Sequence, residues 1–143
     1  MARHNNAKKT TVTFQHESYE FPSKAEADHF LILANRLKRF EIDKLKLQPL
    51  FMLTDSITVE SDKTKSGKAT ITGLKYTPDF EYCENGKKIV VEVKGRKTKD
   101  YQMRYKLFLA VAYSKYGVDT FIEVNNGVET RYECNTVKAK AVA

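Results

Sequence analysis

The residues best equipped for chemistry lie in one short stretch, Pro78 to Lys94, which reads PDFEYCENGKKIVVEVK. At its centre Asn85-Gly86 stands between segments of alternating hydrophobicity, the strongest short-range signal for a two-residue β-hairpin. With those two as the loop, Cys83 faces Lys88, Tyr82 faces Ile89, Phe80 faces Val91 and Asp79 faces Glu92. Successive strand side chains point to opposite faces, so Phe80, Tyr82, Ile89, Val91 and Val93 share an apolar face, and Asp79, Glu92 and Lys94 share the other. Opposed carboxylates with Cβ atoms ~4.5–5.5 Å apart destabilise a sheet unless a cation sits between them. Lys94 offers some relief. A hard divalent ion offers more, because two carboxylates and a neighbouring backbone carbonyl, that of Val93, are the oxygen ligands that Mg²⁺ or Mn²⁺ takes. The alternative is the solvent face of an amphipathic hairpin, where mixed charges are ordinary.

A third acid tips the balance toward the metal. Ser23 can cap a helix, and Glu26 stands three residues later in capping-box position. The helix is predicted to run to about Phe40, with Phe30, Leu33, Leu37 and Phe40 as its apolar stripe, widened by Leu31 and Ala34. Helical spacing puts Glu26 at the sheet-facing end of that stripe, and capping and metal binding can coexist there. The surroundings are cationic: Lys87 to Lys106 holds eight Lys and Arg against two acids, nearly the whole surplus of a chain with net charge +7. Such a concentration favours polyanionic partners, nucleic acid first, with a solvated lysine-rich surface as the alternative. Arg96, Lys97 and Lys99, just beyond Gly95, are placed to hold phosphates near the acids without reading base sequence.

These residues need a frame. At 143 residues the chain fits one domain, expected over 10–137, with a basic arm over 1–9 and a tail over 138–143. Thr10 to Phe21 reads as a short strand pair, and Leu45 to Leu53 as a strand interrupted at Pro49, which belongs at an edge or a bulge. Asp55 to Thr70 reads as a mobile loop or the exposed tip of a long hairpin. A second helix is expected over Asp100 to Tyr116, ending at Gly117, followed by a strand from Val118 to Val124 and a hairpin turn at Asn126-Gly127. Helix, strands, hairpin, helix and strand in that order predict an α/β (α+β) fold, a central mixed sheet flanked by helices.

Other chemistries find little support. Cys83 and Cys134 lack the spacing of a zinc cage or a disulfide framework, and neither a Walker sequence nor a G-x-G-x-x-G is present. His4, His16 and His29 assemble no nucleophile-base-acid group, and Tyr76, Tyr82, Tyr101 and Tyr105 sit at spacings suited to a core as well as to base stacking. The longest apolar run, Leu107 to Ala112, is far short of the ~20 residues that span a bilayer, and the first residues carry no hydrophobic stretch; a cytoplasmic protein without a membrane partner is expected.

Pro78-Asp79, twelve intervening residues, then Glu92-Val93-Lys94 resembles the signature of the PD-(D/E)XK nuclease superfamily. With Glu26 on a preceding helix and Arg104-Tyr105-Lys106-Leu107-Phe108 on a following one, the chain looks most like its small phage-encoded endonucleases and Holliday-junction resolvases. The resemblance implies a restriction-endonuclease-like core and a Mg²⁺ or Mn²⁺ ion held by Asp79, Glu92 and Glu26. It implies that Lys94 orients or deprotonates the attacking water, and that the second helix contributes Lys106 or Gln102, with the neighbours of Lys106 fitting better. Arg104 joins the DNA-binding set. The expected activity is metal-dependent DNA hydrolysis, at branched or junction DNA, by a homodimer whose two sites cut two strands. The alternative is a non-catalytic nucleic-acid-binding module that keeps the nuclease scaffold. The intact acids favour the enzyme, since a protein that only bound phosphates would gain by losing them.

Overall fold

A computed structural model describes residues 9–140; all but Lys9 of the expected arm, and the last three residues of the expected tail, lie outside the described residues. The chain forms β1 (Thr10–Phe14), β2 (Glu17–Phe21), α1 (Lys24–Lys38), β3 (Asp43–Leu47), β4 (Phe51–Met52), β5 (Ile57–Glu60), β6 (Lys68–Ile71), β7 (Lys75–Tyr76), β8 (Phe80–Glu84), β9 (Lys87–Lys94), α2 (Lys99–Tyr116), β10 (Thr120–Asn125) and β11 (Val128–Glu133), then a single 3₁₀ turn over Cys134–Thr136. Five strands make the central mixed sheet in the order β11-β10-β9-β8-β3. The β9–β10 pair is parallel, with α2 as its crossover, and the other pairs in this sheet are antiparallel. Three two-stranded ribbons, β1–β2, β4–β7 and β5–β6, complete the fold.

Local chemistry accounts for the elements that frame the acids. Asn85 (φ 52°) and Gly86 (φ 76°) both take the left-handed conformation that a tight hairpin turn of native twist requires, and Asn126 and Gly127 repeat it between β10 and β11. The register is the one that turn dictates: Phe80 pairs with Val91, Tyr82 with Ile89 and Cys83 with Lys88. Ser23 caps α1 by accepting the Glu26 N–H (3.2 Å). Thr98 does the same for α2 through the Tyr101 N–H (3.1 Å), and Gly117, at φ 67°, closes that helix.

Both faces of the sheet are covered. Ala27, Phe30, Leu33 and Ala34 of α1 pack with Phe80, Tyr82, Ile89, Val91, Val93 and Ile122, the apolar face expected of the hairpin. On the other face, Tyr101, Phe108 and Ala112 of α2 meet Val90, Val118 and Phe121. This explains why β9 reads Ile-Val-Val-Glu-Val rather than alternating, as a strand buried on two sides does. It also removes the solvent-face alternative for Glu92, which is buried there with Glu81 and Glu123, while Asp79 is half-buried.

Three expectations change. Helix α1 stops at Lys38, and Phe40 lies beyond it at φ 59°, 95% exposed, so the apolar stripe ends with the half-buried Leu37. Leu45 to Leu53 is two strands in two sheets rather than one interrupted strand: β3 pairs with β8, β4 pairs with β7, and Pro49 falls between them. The strand expected from Val118 starts at Thr120, because the Val118 N–H is drawn back to the Ala112 carbonyl (3.0 Å) at the end of α2. Of the two readings of 55–70, the chain adopts the hairpin: β5 and β6 pair with Ile57 opposite Ile71 and Glu60 opposite Lys68.

Candidate functional site

Asp79 stands one residue before β8. Its main-chain N–H donates to the Val91 carbonyl (3.1 Å), which carries the hairpin pairing back as far as the acid. Its side chain then reaches across, and Oδ2 accepts the Val93 N–H (2.7 Å). Val93 therefore meets Asp79 through its N–H, and strand geometry directs its carbonyl to the same edge. Glu92, beside Val93, is 3% exposed. Its Oε1 lies 3.2 Å from Lys94 Nζ, and its Oε2 is buried without any partner. Glu26 projects from the first turn of α1, with Oε1 accepting from the Ser23 hydroxyl (3.3 Å).

The three carboxyls press on one another. Burial, and then the charge of Glu92, pushes Asp79 up to about 8. Burial, and then the charge of Asp79, pushes Glu26 up to about 7. Burial likewise raises Glu92. Glu26 thus borders Asp79 and Asp79 borders Glu92, so the acids brought together are the three that the sequence indicated. A pocket of about 130 Å³ opens beside them, lined in part by Glu26, Asp79 and Gln48.

As the side chains stand, no three His, Cys, Asp or Glu groups among the described residues are set around one point as a ready metal cage. The contacts give the reason: Asp79 is turned to the Val93 amide, and one oxygen of Glu92 is taken by Lys94. The donors still suit a hard cation. They are carboxylates that repel one another, and the orphaned Glu92 Oε2 is a buried oxygen in need of a positive partner.

Lys94 is held from two sides, by Glu92 and by the face of Tyr101, whose ring centroid lies 4.9 Å from Nζ. Tyr101 is fixed in turn: its hydroxyl donates to Glu123 Oε2 (2.5 Å), and Lys97 Nζ lies 2.8 Å from Glu123 Oε1. Glu123 pairs directly with Glu92 across the parallel β9–β10 ladder and is 2% exposed.

Neither Glu123 nor Tyr101 was marked as a site residue by its spacing. The available signal was the acid between apolar neighbours, Ile122-Glu123-Val124, the same pattern as Val91-Glu92-Val93.

Two of the expected cations have settings of their own. Lys97, expected to hold phosphate, is engaged by the buried Glu123. Lys106, expected in the catalytic group, is exposed on α2, as is Gln102, and neither contacts the acids; burial of Tyr101, Phe108 and Ala112 turns both positions away from the sheet. Arg96 and Lys99 are exposed, and Arg104 pairs with Asp100 (2.9 Å) and donates to the Lys75 carbonyl.

Fold and site together define an α+β protein whose central mixed sheet and first helix bring the carboxyls of Glu26, Asp79 and Glu92 together beside Lys94. The chain belongs to a family described as "Protein of unknown function (DUF1064)", whose model matches residues 2–131. No curated protein matches it. Among the described residues no helix is long and apolar enough to cross a membrane.

Proposed function

We propose that this protein is a metal-dependent DNA endonuclease, with Mg²⁺ or Mn²⁺ held by Glu26, Asp79 and Glu92. The observation that carries the proposal is the cluster of mutually repelling carboxyls, half-buried at Glu26 and Asp79 and buried at Glu92, with an unsatisfied oxygen at Glu92, next to a lysine held in place. Burying like charges costs several kcal/mol unless a cation compensates them, so a cluster kept for binding phosphate alone would work against itself.

A bound divalent ion supplies an acidified water and a Lewis acid at the phosphoryl oxygen. The chain's own residues do the rest. Asp79 is oriented by the Val93 amide, which holds its Oδ2. Lys94, beside Glu92 and braced on Tyr101, stabilises the negative charge that develops on the phosphate. Arg96 and Lys99 hold flanking phosphates electrostatically, which binds DNA without reading its sequence. The finer parts of the proposal, a homodimer in the cytoplasm acting on branched or junction DNA, rest on the resemblance to resolvases, and a two-fold pair would supply the two active sites that cutting two strands needs.

The test incubates the protein with four-way junction, flap and linear duplex DNA in Mg²⁺, Mn²⁺ or EDTA. Metal-dependent cleavage that Asp79→Asn abolishes supports the proposal. Binding of all three substrates with no cleavage in either metal marks a binding module instead.

A further inference from the structure

Two concavities of unlike charge border the acids. The pocket beside Glu26 and Asp79 is acidic. On the α2 side a larger cleft of about 410 Å³ gathers Lys75, Lys94 and Arg104 against Glu92 and Asp100. Thr98, the N-cap of α2, borders this cleft, and the amides of Lys99 and Asp100, first in the helix, have no acceptor within it. That end of a helix favours an anion.

A second, independent feature points to a ligand. Tyr76 lines the cleft, is 4% exposed, and its hydroxyl is buried with no hydrogen-bond partner. A phenol O–H is a donor, and Glu92 lines the cleft beside it. A buried donor without an acceptor costs about 1–3 kcal/mol, which an incoming oxyanion would recover. Arg104 contributes a guanidinium whose fork suits phosphate oxygens; one arm is anchored on the Lys75 carbonyl, and Nε is occupied by the exposed Asp100 (2.9 Å), a partner that an anion can displace.

We propose that this cleft seats a phosphodiester group of the nucleic-acid substrate, gripped by Arg104 and Lys94 and hydrogen-bonded by Tyr76, so that it lies against Glu92, whose neighbour Asp79 lines the acid pocket. The proposal rests on the endonuclease reading for the phosphate's owner, and adds its position and its direction of approach.

The test is binding in EDTA of the thymidine dinucleotide TpT and of its uncharged methylphosphonate analogue, followed through the Arg104 side-chain N–H and the Lys99 and Tyr101 amides by NMR. TpT should shift these signals and the analogue should not. Arg104→Ala should weaken TpT by about tenfold, Tyr76→Phe by a few-fold with Tm unchanged or raised, and Asp100→Asn should tighten it. Equal binding of TpT and the analogue, or unchanged TpT affinity in both Arg104→Ala and Tyr76→Phe, overturns the seat. So does a Tyr76→Phe variant with lowered Tm and wild-type affinity, which marks a purely structural Tyr76–Glu92 contact. Seating by a protein that never cuts DNA in Mg²⁺ removes the endonuclease reading and leaves the cleft; cleavage with unchanged KM in Arg104→Ala and Tyr76→Phe does the reverse.

Discussion

Lys94 joins the two halves of the site, since it touches Glu92 on one side and the Tyr101 ring on the other. Lys94→Ala should abolish cleavage in single-turnover assays at saturating protein, while Mn²⁺ binding measured by calorimetry persists, because the carboxylates remain; a near-normal rate would remove the role assigned to it. The acids themselves make stability depend on pH. Asp79 rises from its ordinary 3.8 to about 8, and Glu26 from 4.5 to about 7. Between those limits the folded protein binds more protons than the unfolded chain, so stability is full below the ordinary values and is lost as pH climbs through the raised ones. Without metal, Tm should fall between about pH 4 and about pH 8, and either Mn²⁺ or Asp79→Asn should flatten the slope. Asp79, Glu92 and Lys94 could be placed from the sequence because Asn85-Gly86 sets their register within a single hairpin. Glu123 could not, because it enters the site through a strand pairing with β9 that no local signal specifies.

Among the elements, the parallel β9–β10 pair and its crossover α2 are locked by a contact that no hydrophobic pattern announces. Glu123 binds the loop after β9 through Lys97 and the first turn of α2 through Tyr101. Glu123→Ala should destabilise the fold by about 1–3 kcal/mol in urea unfolding, the scale of a lost charged hydrogen bond, moderated because Lys97 is 45% exposed and can turn to water. Glu123→Gln should recover part of this by keeping an acceptor for Tyr101. The helices themselves were legible. Ser23 caps the first, whose apolar spacing marks the face that meets the sheet, and Gly117 ends the second. Phe40 misled because hydrophobicity continues the helical spacing past the point where the backbone turns left-handed. Lys106 misled because a run of basic residues does not say which side of a helix faces the sheet, whereas the burial of Tyr101 and Phe108 does.

For the whole molecule, the order of elements was enough to give a mixed sheet between helices, while the burial of both its faces emerged only once α2 was in place over Val90 and Phe121. Sedimentation without DNA should show a dimer, and competition between a junction and a duplex of equal length should favour the junction; a monomer with no preference leaves a nuclease that nicks one strand at a time. The five-stranded sheet also implies an order of assembly. The β8–β9 hairpin closes over two residues, so Asp79 and Glu92 can meet early, whereas β10 must return past all of α2 before Glu123 lies beside Glu92. Long-range parallel pairing forms late, because loop closure precedes its reward. In chevron kinetics Glu123→Gln should therefore speed unfolding and leave the folding arm nearly unchanged, a φ-value near zero, while mutations at Val91 slow folding. The acidic half of the site is then a product of the folding nucleus, and the brace on Lys94 is its last stage to form.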